Sequence, residues 1–269
     1  MEGRPRNKRS VDSRYLLVSV VQPNHVSVIS SFQSDHSIAL IMEGYIPLSC
    51  LDYLQHGILQ NDYYPLYDYD GQMYVAFCDL SNELGSAWTL VMSWMTAKYK
   101  DLPHFKNKAF YEDAPINEET PNPEIYRQTL ARMNSIRKHS THWRTTCNAD
   151  GRTGIIIYKD YLRGTFSDFD IMLYEGGGSS TCQPVEYINI LGNVGGNGTT
   201  VGFWQSSGNY LLNIDSSDTG CEFLPSAYPR LPRVNYFGYY GDGVNPEFTC
   251  SRNVLCTTQW WFGGYLEEG

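Results

Sequence analysis

The chain has 269 residues, with 20 Lys or Arg against 29 Asp or Glu and a net charge of −9. This length suits one large domain, or one domain with an appendage, and can bury a sizeable core without cross-links. After Arg163 only Arg230, Arg233 and Arg252 oppose eleven acids, a balance that excludes nucleic acid as a partner, and no apolar run approaches the ~20 residues of a membrane span.

In chain order, residues 1–47 read as an N-terminal appendage. Arg4 to Arg9 is basic and Tyr15 to Val21 apolar, but Ser10 to Arg14 separates them, so the segment makes a poor signal peptide. Arg6-Asn7-Lys8-Arg9 has the form that dibasic convertases cleave, and equally that of a solvated basic tail. For a secreted protein, this start implies either a longer precursor or a missing first exon. Alternation at Leu16, Val18 and Val20, then Val26, Val28 and Ile29, predicts two short strands.

From residue 48 onward the texture changes, and 48–269 is expected to form the main domain. Leu51 to Leu59 predicts a short helix with Leu51, Leu54 and Ile58 on one face. Asp68-Tyr69-Asp70-Gly71 predicts a turn before a strand over Met73–Cys78, and Trp88–Trp94 predicts another strand. Thr120-Pro121-Asn122-Pro123 predicts a helix capped by Asn122, with Tyr126, Leu130 and Met133 facing inward. Beyond Cys147, short strands are expected at Gly154–Tyr158, Phe169–Tyr174, Val185–Leu191 and Thr200–Trp204. The sum is an α+β domain with a loop-rich C-terminal half.

Seven cysteines (Cys50, Cys78, Cys147, Cys182, Cys221, Cys250 and Cys256) are widely spaced and form no C-x-x-C pair. That pattern fits structural disulfides in an oxidising compartment better than zinc or thioredoxin chemistry. The odd count leaves one thiol free or paired with a partner, so an oligomer stays open. Cys147 pairs most simply with Cys182. Asn197-Gly198-Thr199 is a glycosylation sequon in a glycine-rich loop, making Asn197 the acceptor of a glycoprotein.

The catalytic candidates are thin. His139 and His142 lie near Cys147, but proximity in sequence shows neither a lowered thiol pKa nor a positioned base. His139-x-x-His142 lacks a third metal ligand. Asp168 and Asp170 would share one face of a strand, as surface or calcium-binding acids do. The glycine runs at 176–178 and 192–198 lack the Lys-Ser/Thr ending of a phosphate loop. No enzyme is expected.

Three segments carry a resemblance: Ser49-Cys50-Leu51-Asp52-Tyr53-Leu54-Gln55-His56-Gly57, Tyr74-Val75-Ala76-Phe77-Cys78-Asp79, and Trp88-Thr89-Leu90-Val91. They resemble the opening of a fibrinogen C-terminal-like domain. Further segments, including Ser140–Arg144, Gly238–Phe248 and Thr257–Gly264, are similar to cnidarian fibrinogen-like extracellular and skeletal-matrix proteins. The resemblance implies a fibrinogen C-terminal-like fold and a Cys50–Cys78 disulfide. It also implies a secreted, lectin-like recognition domain for glycan or extracellular-matrix ligands, or a structural matrix or adhesion component. In such lectins an Asp-rich calcium loop precedes a cysteine. Here Asp215 and Asp218 before Cys221 are the candidate calcium ligands, and the same residues also read as an Asx turn. Trp260 and Trp261 are candidate ligand contacts, because aromatic faces pack against sugar rings. The family's closing cysteine is displaced, since Cys256 precedes Trp260.

Overall fold

A computed structural model of the chain describes residues 18–22, 25–29, 45–99, 102–148, 160–176, 180–190, 192–215, 220–223, 235–236 and 255–266. The predicted appendage strands form: β1 (Val18–Gln22) pairs antiparallel with β2 (His25–Ile29). Helix α1 (Cys50–Gln55) begins at a capping box, where the Asp52 carboxylate accepts from the Ser49 and Leu48 amides at 2.8 Å. Three strands follow, β3 (Asp62–Tyr67), β4 (Met73–Asp79) and β5 (Ser86–Met95). The predicted turn joins β3 to β4, with the Asp68 carboxylate accepting from the Asp70 and Gln72 amides.

Every residue of β5 is buried. Its Trp-Thr-Leu-Val-Met run suits a strand with both faces covered, whose sequence is apolar throughout instead of alternating. Short helices α2 (Thr96–Tyr99) and α3 (Pro103–Lys106) precede β6 (Ile125–Arg127), α4 (Leu130–Lys138) and β7 (His142–Asn148). The rest of the chain supplies β8 (Asp160–Thr165), β9 (Thr181–Val185), β10 (Tyr187–Ile190), β11 (Asn193–Gly195), β12 (Thr199–Ser206), β13 (Tyr210–Asp215), β14 (Asn235–Tyr236) and β15 (Thr257–Tyr265).

The large sheet runs β11-β10-β8-β7-β15-β5-β4-β3, with β6 also on β5; the smaller runs β14-β13-β12-β9. All pairings are antiparallel. The two sheets share one core, in which Trp143 of β7 meets Phe203 of β12 with ring centroids 6.1 Å apart. Trp260 of β15 closes that core against Phe110 at 5.1 Å.

A bulge divides β5. Trp260 and Trp261 are consecutive on β15, yet they face Met92 and Leu90, so Val91 is the extra residue. The Val91 carbonyl accepts from the Gln128 amide at 3.0 Å. Before the bulge β5 pairs with β4, and after it with β6. The faces exchange there too. Trp88 and Leu90 join a second apolar cluster with Phe77, Tyr126 and Trp261, whereas Met92 and Trp94 join the main core.

Several expectations are corrected. The domain is not α+β of the fibrinogen C-terminal-like kind: it is mostly antiparallel sheet, and its longest described helix has nine residues. The region expected to be loop-rich supplies most of the strands, β8 to β15. No helix starts at Asn122, whose side chain instead makes an Asx turn, accepting from the Glu124 and Ile125 amides. Residues 125–127 then pair with β5, and the helix begins later, capped by the Thr129 hydroxyl, which accepts from the Arg132 amide at 3.2 Å. Phe169 to Tyr174 is a turn, not a strand. The strand expected at Gly154–Tyr158 lies outside the described residues.

Candidate functional site

Ionisable side chains converge at one end of the large sheet. Arg144 of β7 is fully buried and lies between two indole rings, 4.4 Å from the Trp88 centroid and 5.0 Å from that of Trp261. Its guanidinium bonds to the Asp79 carboxylate at the end of β4, and its Nη1 lies 3.2 Å from Glu83 Oε2. Burial works against the Arg144 charge, but Asp79 and Glu83 outweigh it and raise its pKa above the ordinary value.

The same Glu83 accepts from the Tyr265 hydroxyl, and that hydroxyl accepts from Arg163 of β8. Arg163 holds Glu186 at 2.8 Å, and Glu186 lies 3.3 Å from His142 Nε2. Burial lowers the His142 pKa; Glu186 offsets part of this, while Arg163 adds to it. The result is an unbroken tract from Asp79 through Arg144, Glu83, Tyr265, Arg163 and Glu186 to His142. Each charge in it meets an opposite one, in the interior for Asp79, Glu83 and Arg144 and nearer the surface for Arg163, Glu186 and His142.

A second set of buried polar side chains bonds to main chain. Arg127 of β6 donates to four carbonyls, those of His104, Lys108, Ala109 and Glu112, at 2.7–2.9 Å. Burial brings its pKa down to about 10. Buried Gln205 accepts from the Phe110 amide and donates to the Ile171 and Tyr174 carbonyls. Glu112 bridges the Ala109 and Gly208 amides and Lys108; these bonds overcome the cost of burial and lower its pKa.

The surface feature of most interest is an open groove of about 420 Å³ lined by Asn193, Val194, Gly195, Thr199, Glu222 and Phe223. The Cys182–Cys221 disulfide lies next in the chain to this lining and joins β9 to the segment carrying Glu222. Glu222 accepts from the Thr200 amide, and its own amide donates to the Thr200 hydroxyl.

The sequence candidates fall as follows. Cys50 and Cys78 form a disulfide. Cys182 pairs with Cys221 and not with Cys147; Cys147 is disulfide-bonded as well, to a partner outside the described residues. Cys256 is buried, with its sulfur 3.4 Å from the Thr96 hydroxyl. Cys250 and Asp218 lie outside the described residues, and Asp215 ends β13. Trp260 and Trp261 are 1% and 0% exposed, so neither presents a face to a ligand; β15 is an inner strand, and each of its faces meets an apolar cluster. Asp168 and Asp170 are not paired on a strand. Asp168 accepts from Thr165, and Asp170 from Arg137 and the Met172 amide.

His139 and His142 have different neighbours, Tyr69 for the first and Trp88 and Tyr265 for the second. Among the described residues no three metal-ligating side chains cluster. Asn197 stands exposed in the turn between β11 and β12.

The tract around Arg144 was not foreseen. Its signal is the absence of any Lys or Arg between Arg14 and Lys98, against eight acids from Asp35 to Glu83. An acid buried in that half must find its counter-charge far along the chain. Among the described residues no helix is long and apolar enough to cross a membrane. No protein-family profile matches the chain, and no curated protein is significantly similar to it.

Proposed function

We propose that this chain is a secreted scaffold domain of the extracellular-matrix or adhesion kind. The observation that carries the reading is the inward use of its polar chemistry. Arg127, Arg144 and Gln205, all fully buried, tie strands and loops together instead of facing a ligand. The disulfides fit an oxidising compartment, one tying α1 to β4 of the large sheet and the other tying β9 of the smaller sheet to residues 220–223. The likeness of the Cys50, Cys78 and Trp88 segments to fibrinogen-like extracellular proteins supports the compartment, though not the fold. Mass analysis of native material without reductant tests it: Cys50, Cys78, Cys182 and Cys221 are expected oxidised. Finding them as thiols would overturn the reading.

A second reading, a recognition module for glycan or matrix protein assisted by calcium, is favoured by the groove beside Glu222, whose volume lies in the range of small-molecule sites. A glycan array with and without calcium separates the two. Binding that Val194→Asp abolishes would support recognition, and silence in both conditions would leave the scaffold.

A further inference from the structure

The groove and the sequon belong to one short stretch of chain. Asn193, Val194 and Gly195 line the groove from β11, and Thr199 lines it from the start of β12. Asn197 lies between them in an exposed turn, closed by the Thr199 amide donating to the Gly196 carbonyl at 3.1 Å. Three residues of chain span at most ~11 Å, so anything attached to Asn197 begins at the groove's edge.

The lining suits a sugar carrying an acetamido group. Val194 is 60% exposed and offers an aliphatic surface for a pyranose face or an acetyl methyl group. Asn193, Thr199 and Glu222 supply amide, hydroxyl and carboxylate partners. The walls are held from several sides. Glu222 and Phe223 are anchored by the neighbouring disulfide and by the Phe223 amide donating to the Thr200 carbonyl, and Gly198 is anchored by its amide donating to Val185. Such a preformed site loses little order on binding.

We propose that this groove seats the first N-acetylglucosamine of a glycan carried on Asn197, so that the domain covers its exposed Val194 with its own modification. The proposal rests on the extracellular reading, since the modification is made in the secretory pathway. It also assigns an intramolecular occupant to a groove that would otherwise be open to a free ligand.

The test compares three forms of the full chain secreted from eukaryotic cells: intact, trimmed by endoglycosidase H to a single sugar, and stripped by peptide-N-glycosidase F. Amide hydrogen exchange is followed at 193–195 and 222–223. The intact and trimmed forms should exchange alike, and both roughly 2- to 5-fold more slowly than the stripped form, as expected for burial of about 20–40 Å² of apolar surface. Val194→Asp should leave Asn197 occupied while removing the difference. An unmodified Asn197 on the secreted chain, or equal exchange in all three forms, overturns the proposal. Failure of the extracellular reading shows separately, as reduced Cys50, Cys78, Cys182 and Cys221 in native material.

Discussion

Arg127 shows how a single side chain shapes a long connection. Residues 104–112 hold the end of the short helix α3 and an irregular stretch after it, yet four of their carbonyls converge on one guanidinium. Arg127→Ala would strand these acceptors and leave a void, at an expected cost of about 3–5 kcal/mol in urea unfolding. Arg127→Lys should recover only part of this, because an ammonium lacks the planar fork that reaches four oxygens. A loss below about 1 kcal/mol for the alanine variant would show that the loop is held by other means.

His142 makes a prediction in pH. Its folded pKa lies below the ordinary value of 6.5, so the unfolded chain takes up the proton first as pH falls. Stability therefore rises with pH across the window from the lowered folded value up to 6.5, and is lost on acidification through it. The groups facing the imidazole are the Thr141 hydroxyl, 2.7 Å from Nδ1, with Glu186, Arg163, Tyr265 and Trp88, while Glu83 and Asp168 act at longer range. His142→Gln should flatten this part of the profile in thermal melts at pH 5–7. An unchanged slope would assign it to another group. Glu112, with its lowered pKa, adds stability above 4.5 that disappears at more acid pH.

At the scale of elements, β15 has little room for added side-chain volume. A Cβ on Gly263 would stand 1.9 Å from the Ala87 carbonyl oxygen on β5. Because the obstacle is backbone, Gly263→Ala should cost about 3 kcal/mol or more, read as a lower denaturation midpoint. Wild-type stability in that variant would mean that β5 and β15 do not approach so closely.

The two fully described disulfides should differ in reactivity. They close loops of similar length, with sequence separations of 28 and 39, so chain entropy gives each about 3.5–4 kcal/mol and does not discriminate. Access does. Cys50 and Cys78 are fully buried, whereas Cys182 is exposed on β9. Under mild reductant followed by alkylation, Cys182 and Cys221 should be labelled first. Prior labelling of Cys50 would contradict this order.

Local signals carried some elements and misled on others. The Asp68–Gly71 turn, the β4 strand and the run through Trp94 follow from turn chemistry and β-branched or aromatic residues nearby in sequence. The helix expected from Asn122 failed because pairing with β5 outweighed a good cap, and α4 took its start from Thr129 instead. The exchange of faces at Val91 was hidden for a related reason. Trp88, Leu90, Met92 and Trp94 share one parity, yet they divide between two clusters, since the bulge depends on the register against β15. Trp260 and Trp261 look like contact residues only while the strands on either side of them are unknown.

Across the whole molecule, the uneven charge becomes a folding instruction. Asp79 and Glu83 come from a stretch without Lys or Arg, and both meet Arg144 from the basic middle of the chain. Asp68 similarly lies 4.0 Å from Arg132. Removing one partner from the buried set, as in Asp79→Asn, leaves Arg144 undercompensated between its indoles and should cost about 3–5 kcal/mol. Asp79→Asn combined with Arg144→Met should cost less than the two separate losses added together. Simple additivity in that cycle would mean the pair is not coupled.

The position of β15 between β5 and β7 also bears on how the protein is made. A ribosome delivers residues 50–95 early, so α1, β3, β4, β5 and the Cys50–Cys78 link can assemble while synthesis continues. The strand that joins this part to β7 emerges only with residues 257–265. Until then β5 and β7 each present one open edge, the place where a chaperone would be expected to engage the nascent chain.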